Sequence, residues 1–200
     1  MHEDYEAPPL NAPDRNPFEQ FRLWFVDAQI AKLPEPEAMV LSTAPAHARV
    51  VLMRSVESMN GFRFYTNYDS AKARQIAADP AVALTFFWSP LHRSVRIEGI
   101  ARKAPAKESD AYFASRPRGS QIGAHASPQS EVIADRAELD ARVAAIEARF
   151  PGTVPRPENW GGFIVRPDLF EFWQGQPSRL HDRWRYWRSG DGWQVDRLGP

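Results

Sequence analysis

Apolar residues follow two different spacings along the chain, and these predict one early helix followed by many strands. Between Pro17 and Leu33, large apolar side chains recur every three to four residues, which is typical of one helical face, and Pro34 ends that helix. From residue 39 onward, short runs rich in β-branched and aromatic residues predict strands. Nine such runs occupy residues 39–43, 50–56, 62–66, 82–88, 95–103, 160–165, 169–173, 183–187 and 193–197.

Three further helices are predicted between the strands, at residues 70–78, 107–116 and 135–150. The last begins with Asp135 and Glu138, which resemble a capping box. Residues 117–131 are rich in Ser, Gly, Gln and Pro, so we expect a loop that carries polar donors. Because the strands cluster without regular alternation with helices, we expect a mainly β (α+β) fold, an antiparallel barrel with peripheral helices.

The distribution of prolines divides the chain into a short N-terminal arm and one domain. Residues 1–16 contain Pro8, Pro9 and Pro13 with little periodicity, which predicts a mobile N-terminal arm. Residues 17–200 show no repeat and no second break, and a chain of 200 residues suits a single domain. The longest apolar run has four residues, and the acidic first six residues do not resemble a signal peptide. We therefore expect no membrane span and a cytoplasmic location.

Composition removes several classes of function. Lys and Arg together number 25 and Asp and Glu also number 25, so the net charge is zero, which argues against a surface devoted to nucleic acid or membrane. The absence of cysteine excludes disulfides, thiolate catalysis and cysteine-ligated metal clusters. The five histidines do not fall at paired ligand spacing, so no metal site is expected.

Positive charge is nevertheless concentrated in a few segments. Residues 178–188 hold four arginines and a single acid, and a strand there would place Arg179, His181, Arg183 and Arg185 on one face. Taken alone, that face suits a solvated edge strand, a phosphate-binding strand or a contact with nucleic acid.

Two smaller basic groups lie earlier in the chain. Arg116 and Ser120 flank a rigid turn, which suits a phosphate monoester, although arginines there could equally complement a helix C-terminus. Arg49 and Arg54 border a strand, and Lys72 follows in the first turn of the next helix. Each of these three would be an ordinary surface charge in isolation.

Six short motifs occur in a fixed order, and together they resemble the pyridoxamine 5′-phosphate oxidase family. The motifs are Phe-Tyr-Thr-Asn at 64–67, Tyr-Phe-x-Ser-Arg-Pro at 112–117, Ser-Gln-Ile-Gly-Ala at 120–124, Gln-Ser at 129–130, Glu-Phe-Trp-Gln-Gly at 171–175 and Arg-Leu-His-Asp-Arg at 179–183. The chain also ends in Arg-Leu-Gly-Pro, similar to the family's Arg-Leu-Ala-Pro terminus. The resemblance covers about residues 17–200.

The resemblance implies an FMN-binding split β-barrel that works as a homodimer, with the flavin at the subunit interface. The positions that match FMN contacts are Arg49, Val50, Val51, Leu52, Met53, Arg54, Tyr65, Thr66, Lys72, Gln129, Ser130, Trp173 and Arg183. The positions that match substrate contacts are Arg54, Tyr112, Arg116, Ser120, Arg179 and His181. The family implies that the last two cover the reacting pyridine ring as catalytic residues, with His181 orienting the substrate.

The activity implied is that of an FMN-dependent oxidase in vitamin B6 metabolism. Such an enzyme converts pyridoxine or pyridoxamine 5′-phosphate to pyridoxal 5′-phosphate, with O2 as acceptor and H2O2 as product. The cofactor carries the electrons, and the protein supplies positioning and electrostatics.

Some positions depart from the family pattern. Arg54, Ala71 and Ser94 stand where the family has lysine, arginine and glutamine, and the turn at 44–48 is shorter. In the arm, Tyr5 fits the family's lid pattern, but His2 replaces an arginine. Two alternatives therefore stay open: a flavin oxidase like those of phenazine biosynthesis, which share an arginine at position 54, and a split-barrel protein that binds flavin or vitamin phosphate without turnover.

Overall fold

The computed structural model describes residues 7–57 and 61–200, and these form nine strands and five α-helices. The strands are β1 Ala38–Thr43, β2 His47–Leu52, β3 Ser55–Glu57, β4 Gly61–Asn67, β5 Ala81–Trp88, β6 Arg93–Lys103, β7 Trp160–Gln174, β8 Asp182–Ser189 and β9 Gly192–Leu198. The helices are α1 Pro17–Ile30, α2 Ala71–Ala78, α3 Ala106–Ser115, α4 Arg118–Ala126 and α5 Arg136–Arg149. No helix in the described part of the chain is long and apolar enough to cross a membrane.

The strands form one curled antiparallel sheet in the order β2-β1-β5-β6-β7-β4-β3, with β8 beside β7 and β9 beside β8. The long strand β7 is the spine of this sheet. Its first part pairs with β4, its last part pairs with β8, and β6 runs along its other edge. The prediction of a mainly β, antiparallel barrel with peripheral helices is confirmed.

Helix α1 packs one face against the core of the barrel. Asn16 caps it by accepting a hydrogen bond from the Phe18 backbone at 3.0 Å, and Pro17 suits its first turn. Phe21 is fully buried, and its ring meets Phe62 and Phe86 edge-on at 4.9 and 5.0 Å. This aromatic packing explains why large rings occupy the apolar positions of the helix near the N-terminus.

Two predicted strand boundaries differ from the structure. The run predicted at 50–56 is divided between β2 and β3, and the two runs predicted at 160–165 and 169–173 are one continuous strand, β7. Asp168 is an extra residue in β7, a bulge between the pairs Gly99–Pro167 and Glu98–Leu169, and the strand stays paired with β6 on both sides of it. A side chain at Gly99 would lie 2.1 Å from the Arg166 carbonyl oxygen, so glycine permits this close approach.

The loop predicted over residues 117–131 is wrong for its first two thirds, because residues 118–126 form α4. Pro117 is the residue before this helix, and Ile122 and Ala126 bury one narrow stripe of it. The other faces are polar, and that polarity suggested a loop. The cap predicted before α5 is confirmed for Asp135, which accepts a hydrogen bond from the Glu138 backbone at 2.9 Å, whereas the Glu138 carboxylate accepts one from the Ala134 backbone at 2.8 Å and not from Asp135.

The N-terminal segment from residue 7 to residue 16 lies along β8. The Leu10 backbone donates to Asp182 at 3.0 Å and accepts a hydrogen bond from the Trp184 indole at 2.7 Å. The hydroxyl of Tyr186 donates to the Asp14 carbonyl at 2.6 Å. Residues 1–6, with the predicted lid positions His2 and Tyr5, and the turn residue Asn60 lie outside the described residues. The mobility of the arm stays a prediction.

Candidate active site

A cavity of about 310 Å³ opens where β2, β4, α2 and α3 meet. It is lined by Val50, Val51, Leu52, Arg54, Tyr65, Thr66, Lys72, Tyr112, Arg116, Gln129 and Trp160. Ten of these eleven residues are candidates from the sequence, and Trp160 is the addition. The fold thus brings together motifs that lie far apart along the chain.

Lys72 sits in the first turn of α2 and points into this cavity. Its ammonium group donates to the Thr66 hydroxyl and the Gln129 amide oxygen, both at 3.1 Å, and to the Ser70 hydroxyl at 3.3 Å. All three acceptors are neutral. Burial lowers the pKa of Lys72, and the neighbouring charge of Arg49 lowers it further.

Arg116 follows directly after α3 and contacts aromatic rings. Its guanidinium carbon lies 4.6 Å from the Trp160 ring centre and 5.6 Å from that of Phe113. Its Nη1 atom is buried without a hydrogen-bond partner. Burial lowers the pKa of Arg116; the phenolic group of Tyr112 opposes this shift, and the charge of Arg54 adds to it.

No Asp or Glu side chain is among the described residues that line the cavity, although it holds Arg54, Lys72 and Arg116. Half-buried cations repel each other and lose hydration unless an anion is close. The donor set therefore fits a ligand with a compact negative charge, and a phosphate ester has that chemistry.

The aromatic wall of the cavity is a set of nearly parallel rings. Tyr65 and Tyr112 stack with ring centres 3.8 Å apart, and Trp160 lies 5.5 Å from Tyr65 and 6.2 Å from Tyr112. Burial is the main cause of a raised pKa at Tyr65, so its hydroxyl stays protonated at neutral pH. The wall suits a planar or ring-bearing ligand next to the cationic end.

Two other predicted cofactor positions lie beside the cavity. The guanidinium of Arg49 donates to the Thr43 hydroxyl at 2.9 Å and to the Gln75 amide oxygen at 2.5 Å, so Gln75 orients it. Met53 is buried in the barrel core, where only its backbone could face a ligand. Ser120 and Ser130 are exposed, on α4 and in the segment after it.

Arg118 has a structural contact. It donates to the carbonyl oxygens of Gly152, at 2.5 Å, and of Phe150, at the end of α5. Arg118 thus bonds the C-terminal end of α5, and not the end of the helix before Pro117 that the sequence suggested. Arg116 turns instead toward the cavity.

A second group of predicted residues lies at the other end of β7. Trp173 pairs with Arg183 across β7 and β8, and the His181 ring lies 4.6 Å from that of Trp173. Nδ1 of His181 accepts a hydrogen bond from the Gln176 backbone at 3.1 Å. Burial lowers the pKa of His181, and the charge of Arg179 lowers it further.

The prediction that Arg179, His181, Arg183 and Arg185 share one strand face is wrong for the first two. Strand β8 begins only at Asp182, so Arg179 and His181 precede it. Arg179 ends a short turn in which Ser178 and Arg179 have left-handed φ angles of 57° and 62°. Pro177 at the start of this turn interrupts the extended chain before β8.

Glu171 is a residue of this second group whose role the sequence does not reveal. Its Oε1 atom accepts two hydrogen bonds from Arg183, at 2.9 and 2.7 Å, and its Oε2 accepts one from Arg96 at 2.6 Å. Burial would raise the pKa of Glu171, but the hydrogen bonds and charges of the two arginines outweigh it and hold the pKa below its usual value. Arg183 is therefore fixed on the sheet.

The two groups are far apart within one chain. Gly162 of β7 lies opposite Tyr65 at the cavity, and Trp173 lies eleven residues further along the same strand. At about 3.3 Å per residue, this is at most roughly 36 Å of strand. The cavity and the second group share no lining residue.

The fold is a split β-barrel, and the comparisons with known proteins give its family. The model of "Pyridoxamine 5′-phosphate oxidase" matches residues 25–150, and that of the "Pyridoxine 5′-phosphate oxidase C-terminal dimerisation region" matches residues 160–200. The chain belongs to the pyridoxamine 5′-phosphate oxidase family and is an oxidoreductase. The match to the dimerisation region supports a homodimer.

Curated relatives extend over the full chain. A pyridoxine/pyridoxamine 5′-phosphate oxidase of Thermosynechococcus vestitus is 55% identical, and the match covers 100% of this chain and 97% of the relative. An oxidase of the same name from Bordetella petrii is 52% identical, with 100% and 98% covered.

Two solved structures share the fold. PhzG from Burkholderia lata, in complex with tetrahydrophenazine-1-carboxylic acid, is 28% identical with a TM-score of 0.89 and covers 98% of both chains. A pyridoxamine 5′-phosphate oxidase-related, FMN binding protein from Nostoc punctiforme is 16% identical with a TM-score of 0.72, covering 92% of this chain and 98% of its own.

Proposed function

We propose that the chain is an FMN-dependent oxidase that converts pyridoxine or pyridoxamine 5′-phosphate to pyridoxal 5′-phosphate, with O2 as acceptor and H2O2 as product. One observation carries this proposal: three cations line a cavity with aromatic walls, and no described carboxylate neutralises them. The buried, unpartnered Nη1 of Arg116 is a donor that a phosphate oxygen would satisfy. The names of the relatives that are 52–55% identical support the same activity.

The cofactor phosphate fits the start of α2. Ser70 directs its hydroxyl to the Asn67 carbonyl at 2.7 Å and does not cap the helix with its side chain. The first turn is thereby left to an anion, next to Lys72 and Arg49. FMN bound there would supply a two-electron acceptor for the substrate. Thr66 and Gln129 hold the Lys72 ammonium group in position for the phosphate.

The substrate phosphate fits Arg116, with Tyr112 and Arg54 in the same cavity lining, and Ser120 follows Arg116 by four residues in α4. The guanidinium would bind it through two directional N–H donors. The parallel rings of Tyr65 and Tyr112 close one side and keep water from that wall. The chain thus offers one anion site for the cofactor and another for the substrate.

A homodimer would complete the site, because the second group of residues does not line the cavity of its own chain. Phe87, Ser94 and Trp173 are neighbours across β5, β6 and β7, and Phe87 is 65% exposed although it is a large ring. A second copy that covers this face would bury Phe87. It would also bring Trp173 and Arg183 to the partner's flavin, and Arg179 and His181 to its substrate.

His181 would orient the substrate as a hydrogen-bond donor. Since Nδ1 accepts the Gln176 N–H, a neutral ring carries its hydrogen on Nε2, which makes that atom a donor. The lowered pKa keeps the ring neutral at pH 7. We assign no general base.

The test is anaerobic reduction of the purified holoenzyme. The protein is expected to be yellow and to bleach when pyridoxine 5′-phosphate or pyridoxamine 5′-phosphate is added without O2, and admission of O2 should restore the colour with release of H2O2. Pyridoxine without its phosphate, at the same concentration, is the control and should bleach the protein far more slowly. Bound flavin that stays oxidised with both phosphate esters would refute the proposal.

The structural likeness to PhzG favours one second candidate, a flavin oxidase that acts on a reduced phenazine carboxylate. A carboxylate would also meet the cations of the cavity, and an arginine at position 54 is, by resemblance, a feature of the phenazine-biosynthesis oxidases. The higher identity of the curated oxidases favours the phosphate ester. Bleaching by a dihydrophenazine carboxylate, and by neither phosphate ester, would establish the second candidate. Binding of flavin without bleaching by any of these compounds would indicate a protein without turnover.

A further inference from the structure

We propose that Trp160 is a positioning residue for the substrate: its indole face holds the Arg116 guanidinium so that its donors stay available for a phosphate monoester. The inference rests on the proposed function and adds to it a residue that selects phosphorylated substrates. Trp160 does not belong to any of the motifs that the sequence brings forward, and its role becomes visible only in the folded chain.

The contact between the two side chains is close and buried. Arg116 Cζ lies 4.6 Å from the Trp160 ring centre, within the distance at which a cation is attracted to the face of an indole. Trp160 is only 6% exposed, so little water screens this attraction. Phe113 lies 5.6 Å from the same guanidinium and contacts Trp160 edge-on at 5.1 Å.

An aromatic face, unlike a carboxylate, can hold an arginine without using its N–H donors. A carboxylate would occupy two N–H groups of Arg116 and cancel its charge. The indole face attracts the cation through its π electrons and uses none of the N–H donors. This accounts for the buried Nη1 of Arg116 without a hydrogen-bond partner. The guanidinium is held in place and retains both its charge and its donors.

Trp160 is itself held rigidly. It is the first residue of β7 and pairs with Asn67 of β4. Its backbone N–H donates to the Pro157 carbonyl at 3.1 Å, and its carbonyl accepts a hydrogen bond from Arg156 at 2.5 Å. Arg156 is in turn bound to Asp110 of α3 at 2.6 Å. The ring therefore has a fixed position relative to α3, the helix that ends at Arg116.

The experiment compares Trp160→Leu and Trp160→Phe with a matched control, Trp24→Leu. Trp24 is also buried and also carries an arginine on its face, with Arg93 Cζ at 4.7 Å, but it belongs to α1 and does not line the cavity. Three quantities are measured on FMN-loaded protein of confirmed fold: KM and kcat for pyridoxine 5′-phosphate, and the Kd of inorganic phosphate by calorimetry.

Trp160→Leu is expected to raise both KM and the phosphate Kd about tenfold, equivalent to about 1.4 kcal/mol, with kcat within about twofold of wild type. Trp160→Phe keeps a weaker aromatic face and should fall between Leu and wild type. Trp24→Leu should leave KM and the phosphate Kd unchanged even if it lowers Tm. An unchanged phosphate Kd in folded Trp160→Phe and Trp160→Leu, or an equal rise in Trp24→Leu, would overturn the proposal.

The phosphate Kd also separates this inference from the proposed function. If wild-type protein fails to bleach with either phosphate ester, the proposed activity is wrong. The ratio of phosphate Kd values between Trp160→Leu and wild type would still decide whether Trp160 positions Arg116 for an anion.

Discussion

Replacing Lys72 by methionine should weaken FMN binding strongly and leave the stability of the FMN-free protein nearly unchanged. The ammonium group of Lys72 contacts three neutral acceptors, at 3.1, 3.1 and 3.3 Å. Burial and Arg49 lower its pKa, so the charge is unfavourable in the free protein. Methionine has a similar length and removes only the charge and its donors.

The magnitude follows from the interaction that is lost. A hydrogen bond to a charged group contributes about 1.5–3 kcal/mol, so the Kd of FMN should rise roughly 10- to 150-fold. In the free protein, Lys72→Met loses three hydrogen bonds. This loss is offset because the substitution also removes a buried charge and its repulsion by Arg49. A net change within about 0.5 kcal/mol would shift Tm by no more than about 2 °C in a chain of this size.

The pH dependence of binding gives a second measurement. In the free protein, burial and Arg49 lower the pKa of Lys72. A phosphate dianion beside Lys72 would raise this pKa again, so Lys72 stays protonated to a higher pH in the FMN complex than in the free protein. FMN affinity is then constant below the free-protein pKa and weakens as pH rises through it. Lys72→Arg, whose guanidinium stays charged, should abolish this alkaline weakening.

The assay is a titration of FMN-free protein, followed by the quenching of flavin fluorescence at pH 7 to 9, with Tm recorded for each variant. The reasoning would be refuted if Lys72→Met bound FMN as tightly as wild type, or if it lost several degrees of Tm before FMN was added. Either result would mean that the ammonium group serves the fold and not an anion.

Three other changes give further predictions. Arg116→Ala should raise KM for pyridoxine 5′-phosphate by more than about 100-fold, because two charge-assisted hydrogen bonds contribute about 3 kcal/mol or more, while the FMN content of the purified protein stays that of wild type. Glu171→Gln should lower Tm by roughly 2–8 °C near pH 7, because Arg183 and Arg96 lose the buried carboxylate that they share, although Arg96 keeps its ion pair with Glu98. Since the pKa of Glu171 is lowered by folding, its stabilisation is complete above the unfolded pKa and is lost as pH falls through the folded value, so the Tm difference should shrink in acid. His181→Gln should remove a fall in kcat/KM that wild type shows only at a pH below the usual histidine pKa of about 6.5, since folding lowers the pKa of His181.

The sequence predicted the elements that are determined by local residue spacing. It failed for elements that are determined by contacts with residues far away along the chain. Helix α1 was predictable because its apolar spacing reflects a single buried face. Helix α4 was not, since Ile122 and Ala126 are the only residues that it buries and the rest of it is as polar as a loop. The continuity of β7 depends on β6, which absorbs Asp168 as a bulge opposite Gly99.

The same distinction holds for the candidate site. Arg116 stands in a recognisable motif and Lys72 at a position that matches an FMN contact of the family, and the structure places both in one cavity. Trp160 contacts Arg116, which lies 44 residues away along the chain and follows helix α3. Glu171 binds Arg183, which lies 12 residues away on the neighbouring strand β8. Only the tertiary structure shows such pairs, because each residue alone matches an ordinary core or strand position.

The length of β7 has a consequence for how a dimer tolerates inactivating substitutions. If one end of this strand serves the chain's own cavity and the other end serves the partner's, each of the two sites in a dimer takes Lys72 from one copy and Arg183 from the other. A dimer assembled from one copy defective at Lys72 and one defective at Arg183 would then carry both defects in one site and none in the other. Two inactive proteins, mixed and allowed to exchange subunits, would recover part of the activity that neither has alone.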